Sequence, residues 1–212
     1  MLSSRFRRSI AIAVLVAGCG GQQAHAPARP PVAGKRLVVV GDSLAFGRFA
    51  DTREDAFAQR AAAALHARPA VLAAPGVTTA QIAAQDVPRG GDAVVVEAGT
   101  NDFLYQTPRR RFADDYRALL AKVTGASPGA RLVCLTTWVP NDVPPAKIPA
   151  SFYDATIRRA CTGGAVADLS AISAQPGMRG PAGRPTSFGP GDAFHPNSAG
   201  HAAIARLIES RL

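Results

Sequence analysis

The chain has 212 residues, of which 47% are apolar and 18% are charged, and its formal net charge at pH 7 is +9. This composition indicates a globular protein and excludes a disordered or fibrous chain. No apolar run reaches the roughly 18 residues that a membrane-spanning helix needs, and the sequence contains no tandem repeat. We therefore expect neither a membrane-embedded protein nor a coiled coil or solenoid.

The first 18 residues have the pattern of a secretory signal peptide. Three arginines and no acidic residue precede an apolar segment over residues 10–17 that is too short to span a bilayer. The run from Leu15 to Cys19 resembles the lipobox of bacterial lipoproteins, which implies cleavage before Cys19 and a diacylglycerol on its thiol. The alternative is a simple secretory signal in which Cys19 is incidental.

Residues 19–34 are rich in Gly, Gln, Ala and Pro and show no apolar periodicity, a pattern that predicts a flexible tether. We expect the folded domain to span residues 35–212. Short apolar runs alternate there with segments of helical periodicity. We predict strands over residues 37–40, 70–72, 93–96, 132–135 and 165–167, and helices after Thr52, from Thr107-Pro108 to Gly125, over 149–159 and after Asn197.

This alternation predicts an α/β domain. The strands are apolar on both faces, so we expect a parallel sheet covered by helices on both sides. In such sheets, catalytic and binding groups lie just beyond the carboxyl ends of the strands. The polar residues that follow each predicted strand are therefore the candidates for a functional site.

Those residues have the chemistry of acyl transfer. Ser43 follows the first strand and offers a hydroxyl nucleophile, which needs a neighbouring base to accept its proton. Of the four histidines, only His195 lies in a Gly/Pro/Asn-rich loop beside an acid, and Asp192 is near enough to orient its ring. The alternative interpretation of the last two residues is a surface Asp and His in a helix-capping loop.

A tetrahedral intermediate also needs donors for its oxyanion. The backbone N–H of Ser43 is one candidate. Gly76, after the second strand, can bring a bare N–H close because it has no side chain. Asn101, after the third strand, offers a side-chain amide.

These segments together resemble the GDSL (SGNH) hydrolase family. Gly-Asp-Ser-Leu follows the first strand, Gly-x-Asn-Asp follows the third, and Asp-x-x-His precedes the last helix, in the family's order. The resemblance implies a flavodoxin-like three-layer α/β/α sandwich with a five-stranded parallel sheet. It also implies Ser43 as nucleophile, His195 as base, Asp192 as its orienting acid, and an oxyanion hole of Ser43, Gly76 and Asn101.

The second block departs from the family pattern. Ala74 stands where the family often has Asn, and Thr78-Thr79 stand where it often has Ser-Gly, although Gly76 is kept. The sequence therefore does not predict which hydrogen bonds hold this loop. Beyond the fourth strand, Trp138 is a candidate wall of a substrate pocket, because aromatic side chains at strand ends often stack against ligands.

The cysteines outside the signal segment allow two interpretations. Cys134 and Cys161 could pair in an oxidising compartment, or they could be two separate buried thiols. No spacing of His and Cys resembles a zinc site, and we expect neither a metal nor another cofactor. We find no nucleic-acid-binding motif.

The sequence therefore predicts a lipid-anchored serine hydrolase of the bacterial cell envelope that cleaves small acyl or acetyl esters through an acyl-enzyme. Its expected substrate is an ester-bearing small molecule, glycan or lipid. We also expect the lipid anchor to attach the protein to a membrane, and we expect no obligate protein partner. A secreted form is the alternative localisation. The alternative functions are an O-acyltransferase acting on envelope glycans and a non-catalytic envelope-binding module on the same scaffold.

Overall fold

The computed structural model describes residues 35–212, so the predicted signal peptide (1–18) and the tether with Cys19 (19–34) lie outside the described residues. A parallel five-stranded sheet forms the centre of the fold. Its strands are β1 (Arg36–Gly41), β2 (Arg68–Ala73), β3 (Ala93–Glu97), β4 (Arg131–Leu135) and β5 (Ala165–Ala167). Their order in the sheet is β2-β1-β3-β4-β5, the flavodoxin-like order that the resemblance implies.

Helices cover both faces of the sheet, which confirms the three-layer prediction. Successive residues of a strand point to opposite faces, so Leu37 and Val39 enter one core cluster while Val38 and Val40 enter the other. The helices are α1 (Phe57–Ala64), α2 (Thr79–Ala83), α3 (Thr100–Leu104), α4 (Arg109–Ala126), α5 (Ala150–Ala160), α6 (Ser170–Ser173) and α7 (Ser198–Glu209). Helices α1 and α7 pack against the first cluster, and α2, α4 and α5 pack against the second.

The segment between α6 and α7 is mostly irregular. It contains a 3₁₀ turn (Pro176–Met178) and a short hairpin of β6 (Pro185–Thr186) and β7 (Gly189–Pro190). None of the helices between residues 35 and 212 combines the length and the apolar character that crossing a bilayer requires.

Several predicted helix boundaries differ from those of the structure. The first helix begins at Phe57 rather than after Thr52, because Thr52 is held in a turn in which its hydroxyl donates to Asp55 Oδ2 at 2.8 Å. Gly125 does not end the long helix, which continues to Ala126. The five-residue helices α2 and α3 were not predicted, because segments this short carry no readable periodicity.

The two cysteines that the sequence left open form a disulfide bond. Cys134 lies on β4 and Cys161 follows α5, and their Sγ atoms are bonded with the Cα atoms 6.3 Å apart. The bond joins the sheet to the helical layer that covers its second face.

Candidate active site

The candidate nucleophile lies on a tight turn that begins where β1 ends. The Phe46 N–H donates to the carbonyl of Asp42 at 3.0 Å, and the Arg48 N–H donates to the carbonyl of Ser43 at 2.9 Å. These bonds wind the chain away from the sheet immediately after Ser43. The side chain of Ser43 is thereby fixed at the carboxyl end of the central strands, although the residue is only 5% exposed.

The loop that carries His195 is anchored by the cap of the last helix. Asn197 Oδ1 accepts from the backbone N–H groups of Ala199 and Gly200 at 3.0 and 3.1 Å, as expected for an N-cap. The Asn197 amide nitrogen donates to three backbone carbonyls of the preceding loop. The Asn197 side chain therefore binds the start of α7 to the loop before it. Because His195 lies in this loop, these bonds fix its position.

Ser43, His195 and Asp192 form a hydrogen-bonded chain. Ser43 Oγ lies 2.9 Å from His195 Nε2, and His195 Nδ1 lies 2.7 Å from Asp192 Oδ2. The other Asp192 oxygen accepts from the backbone N–H groups of His195 and Phe194, at 2.8 and 2.9 Å. This arrangement selects the tautomer in which Nδ1 carries the proton and Nε2 is free to accept one from Ser43.

The surroundings keep this imidazole neutral and this carboxyl ionised. Burial lowers the pKa of His195 below its ordinary value of 6.5, although the Asp192 carboxylate acts in the opposite direction. Burial also raises the pKa of Asp192, but the hydrogen bonds and charge that His195 supplies outweigh it, and the net pKa is below the ordinary 3.8. At neutral pH His195 can therefore act as a general base.

The two backbone N–H groups predicted for the oxyanion hole are unengaged in the part of the chain that the structure describes. Neither the Ser43 N–H nor the Gly76 N–H has a hydrogen-bond acceptor among the described residues. Gly76 has φ +79°, a conformation that favours glycine. The third predicted donor is engaged, because the Asn101 amide nitrogen donates to Asp42 Oδ2 and to the Val77 carbonyl, both at 3.0 Å.

The loop that departs from the family pattern is held by Asp102. Asp102 Oδ2 accepts from the backbone N–H of Thr79 at 2.9 Å and from its hydroxyl at 2.7 Å. Thr78 caps α2, and its N–H donates to Gln81 Oε1 at 2.8 Å. The two threonines thus supply local bonds of their own and hold the segment that follows Gly76.

The prediction that Trp138 lines a substrate pocket is wrong. Its side chain is fully buried in the core cluster between the sheet and α7. Its indole Nε1–H donates to the carbonyl of Phe194 at 2.8 Å. Trp138 therefore packs beneath the loop that carries His195 and has no exposed surface that could line a pocket.

Sequence reasoning missed the aromatic side chains that flank the imidazole. The rings of Phe49 and Phe194 meet His195 edge-on, with centroids 5.2 and 5.3 Å away. Phe49 has φ +63°, which is strained for a residue with a side chain, and the guanidinium of Arg48 lies 4.8 Å from its ring centroid. The signal in the sequence that could have indicated this contact is the pair Arg48-Phe49, which follows Ser43 closely in the chain.

A small cavity opens beside the nucleophile turn. Its volume is about 180 Å³, its floor is formed by the buried Ala45 and Ala56, and Phe46 and Phe188 meet edge-on at its wall. The hydroxyl of the exposed Tyr105 lies 3.7 Å from where a Cβ atom on Gly76 would be. Between residues 35 and 212, no group of three or more His, Cys, Asp or Glu side chains could hold a metal ion.

A serine, an imidazole and a carboxylate joined in this way at the carboxyl end of a parallel sheet are the arrangement of a serine hydrolase. The model of the GDSL-like lipase/acylhydrolase family matches residues 39–203, which is more than half of the chain. The chain belongs to this family and is an enzyme of the carboxylester hydrolase class. No curated protein sequence matches the chain at a significant level.

Solved structures with the same fold include enzymes of several kinds. A carbohydrate esterase family 2 enzyme with a carbohydrate-binding domain from Corynascus thermopiles (Myceliophthora fergusii) has a TM-score of 0.65 at 19% identity, over 87% of this chain and 67% of that one. Phospholipase A1 from Streptomyces albidoflavus NA297 has a TM-score of 0.64 at 18% identity, over 85% and 100%. The salicylyl-acyltransferase SsfX3 from a tetracycline biosynthetic pathway has a TM-score of 0.62 at 15% identity, over 86% and 55%. At these identities the likeness concerns the fold alone.

Proposed function

We propose that this chain is a lipid-anchored, extracytoplasmic hydrolase that cleaves small acyl esters through an acyl-enzyme on Ser43. The observation that carries the proposal is the continuous chain of hydrogen bonds from Ser43 Oγ through the His195 imidazole to the Asp192 carboxylate. Such a chain supplies both the activated nucleophile and the base that the reaction requires.

The reaction proceeds in two halves. Ser43 Oγ attacks the ester carbonyl while its proton passes to His195 Nε2, and the imidazolium then donates that proton to the departing alcohol. This leaves the acyl group on Ser43. In the second half, His195 Nε2 takes a proton from water, the resulting hydroxide equivalent attacks the acyl carbon, and the proton returns to Ser43 as the acid leaves. Asp192 stays ionised and stabilises the imidazolium in both halves.

The oxyanion is stabilised by the N–H groups of Ser43 and Gly76, which have no other acceptor among the described residues. Asn101 joins them by giving up one of its two present bonds. Val77 is half-buried and its bond to Asn101 is within reach of water, whereas the bond of Asn101 to the buried Asp42 has no such replacement. We therefore assign the exchange to the Val77 bond.

We assign the acyl group to the cavity beside the nucleophile turn, which Ala45 and Phe46 line although Ser43 and His195 do not. Its volume of about 180 Å³ is below the roughly 300–1,000 Å³ of most ligand sites, which favours an acyl chain of a few carbon atoms. Three of the lining residues are alanines, and the ring of Phe46 is exposed there. Arg53 and Gln59 add polar groups to the lining.

The N-terminal sequence and the disulfide support the proposed location. The lipobox-like run ending at Cys19 provides an acceptor for a lipid, and Cys134 pairs with Cys161 as is usual in oxidising compartments. The location is tested by growing a bacterial host that expresses the full chain with a labelled fatty acid. We expect label in the wild type and none in Cys19→Ser, and an unlabelled wild type would reject the anchor.

The catalytic proposal is tested by hydrolysis of p-nitrophenyl esters of increasing acyl length. We expect acetate and butyrate to be cleaved and octanoate to be poor, Ser43→Ala to be inactive, and Asp192→Asn to lose about 10⁴-fold in kcat because the wrong tautomer is favoured. A folded Ser43→Ala variant that keeps its activity would reject the proposal. Adding a sugar as acceptor tests the alternative, since an acylated sugar in place of free acid would identify an acyltransferase.

A further inference from the structure

Two buried carboxyl groups lie directly beneath the candidate nucleophile, and the two-step reaction does not use either of them. Asp42 is fully buried and Glu97 is 1% exposed. They come from the ends of the neighbouring strands β1 and β3, where Gly41 pairs with Glu97 in the register of the sheet. Glu97 is the only charged residue in β3, which is otherwise made of alanine and valine.

Glu97 holds the nucleophile turn from below. Its Oε2 accepts from the backbone N–H of Asp42 at 3.0 Å and from that of Ala45 at 3.3 Å, so it binds the chain on both sides of Ser43. A Cβ atom on Gly41 would lie 2.7 Å from this oxygen, which is closer than atoms can approach. Glycine at position 41 is therefore what allows the Glu97 carboxyl to reach under the turn.

Asp42 connects the same turn to the amide of Asn101. One of its oxygens, Oδ1, accepts from the Leu44 N–H at 3.0 Å and lies 3.3 Å from Ser43 Oγ. The other, Oδ2, accepts from the Asn101 amide nitrogen at 3.0 Å. A single buried carboxylate thus touches both the residue that attacks the ester and a residue assigned to the oxyanion.

Two adjacent carboxyl groups without a cation cannot both be ionised at low cost. No lysine or arginine within residues 35–212 forms an ion pair with either of them, and the other titratable groups nearby are Asp102 from α3 and Tyr116 from α4. Burial raises the pKa of Glu97 well above its ordinary 4.5, and the charge of Asp42 raises it further. Burial also raises the pKa of Asp42, from its ordinary 3.8 to about 6, although the hydrogen bond from the Leu44 N–H opposes the rise.

We propose that Glu97 is a positioning residue whose protonated carboxyl donates a hydrogen bond to Asp42 and thereby keeps Ser43 and Asn101 in register for the reaction. The carboxyl groups of Glu97 and Asp42 share this proton where β3 and β1 end. Asp42 remains the acceptor for Leu44 and Asn101, and Glu97 remains the acceptor for the backbone on either side of Ser43. This inference rests on the proposed function, because it concerns how the same serine is held.

The proposal distinguishes two substitutions of Glu97. Glu97→Gln keeps an oxygen for the backbone N–H groups and an N–H for Asp42, so it imitates the protonated acid. Glu97→Leu keeps the volume but leaves those N–H groups and Asp42 without a partner. We expect the Gln variant to retain kcat within about tenfold and the Leu variant to lose about 100-fold, with KM changed little in both, since a displaced nucleophile affects mainly kcat.

The pH profile separates positioning through a shared proton from a merely structural role. In the wild type, kcat should fall once the pH is high enough for Glu97 to lose its proton, because two adjacent negative charges then push the turn apart. Glu97→Gln has no proton to lose, so this fall should be absent. Asp154→Asn is the matched control, because Asp154 also accepts a strand-end backbone N–H, that of Thr137 at 2.9 Å, away from Ser43. Its profile should follow the wild type.

The experiment measures kcat, KM and their pH dependence for the variants on p-nitrophenyl acetate, with thermal unfolding to establish folding. A folded Gln variant that is as slow as the Leu variant would overturn the proposal. So would a Gln variant whose kcat still falls as the pH is raised. If Glu97→Leu does not fold, the Gln variant alone decides. Wild-type protein that cleaves no ester would count instead against the proposed function.

Discussion

Phe49 packs edge-on against the imidazole of His195, with ring centroids 5.2 Å apart and ring planes at 82°. Phe194 contacts the same imidazole at nearly the same angle, 80°. The base is thus held by two aromatic rings as well as by its hydrogen bonds to Ser43 and Asp192. Because Phe49 has φ +63°, its position also costs backbone strain that the surrounding packing must offset.

The first prediction concerns this contact. Phe49→Leu keeps an apolar side chain and the same backbone strain but removes the ring edge from His195. Since such aromatic pairs contribute roughly 0.5–1.5 kcal/mol, we expect kcat to fall by up to about tenfold while KM changes little. Phe152→Ala, which removes a ring on Arg109 and Tyr153 instead, should leave kcat unchanged. Equal kcat values for Phe49→Leu and the wild type would show that the ring does not position the base.

The second prediction is a pH dependence. Ester cleavage needs neutral His195, and burial lowers the pKa of this residue below 6.5. Protonation on the acid side should therefore abolish kcat/KM with a midpoint below pH 6.5. The positive charge of Arg48 contributes to the lowering, so Arg48→Gln should move the midpoint upward. Arg89→Gln removes an exposed arginine that does not contribute to the lowering of the His195 pKa, and it serves as the control. A midpoint that moves equally in both variants, or not at all, would contradict the assignment.

The third prediction concerns stability. His201 is fully buried in α7, where its Nδ1 accepts from the Phe57 N–H at 3.4 Å and its Nε2 donates to the Arg48 carbonyl at 3.1 Å. Burial lowers its pKa from 6.5 to about 4. Between these values the unfolded chain binds a proton that the folded protein does not, so the free energy of unfolding falls as the pH falls through this window.

The size of this effect is about 3 kcal/mol at 1.36 kcal/mol per pKa unit. Urea unfolding of the wild type and of His201→Gln between pH 7 and pH 4 measures it. The variant should be less stable than the wild type at pH 7, and the difference should shrink as the pH is lowered. Two stability curves that stay parallel over this range would show that His201 is not the titrating group.

The fourth prediction concerns the disulfide. Cys134 and Cys161 are separated by 27 residues, and closing a loop of that length is expected to contribute about 3.5 kcal/mol to the free energy of unfolding. Cys134→Ala/Cys161→Ala should therefore unfold at lower urea concentration. A reducing agent should destabilise the wild type and leave the double variant unaffected. If the oxidised wild type is no more stable than the double variant, the disulfide bond does not stabilise the fold.

Much of the fold could be predicted from the sequence. The runs that end at Val40, Val96 and Leu135 are apolar on both faces, and such runs occur almost only in parallel sheets between helices. The cap at Asn197 was also readable, because its side chain and the helix that follows are neighbours in the chain. The start at Thr52 was misassigned because its hydroxyl has a competing partner in Asp55, which sequence periodicity does not reveal.

The residues of the site also fall into a group that the sequence predicts and a group that it does not. Ser43, Asp192 and His195 were predicted because each lies at the end of a readable element and belongs to a motif. The burial of Trp138 was not predicted, because it depends on how the loop at Phe194 folds back over the sheet. Glu97 was overlooked, although one carboxyl group at the end of an apolar strand is a signal that a buried polar contact lies there.

The central claim is that Ser43 is the nucleophile that His195 activates, and mass spectrometry after reaction with a fluorophosphonate tests it most directly. The wild-type protein should gain one phosphonyl group, located on the peptide that contains residue 43. Ser43→Ala should gain none, and Asp192→Asn should react far more slowly. A folded wild-type protein that stays unmodified, or that carries the group on a different residue, would contradict the claim.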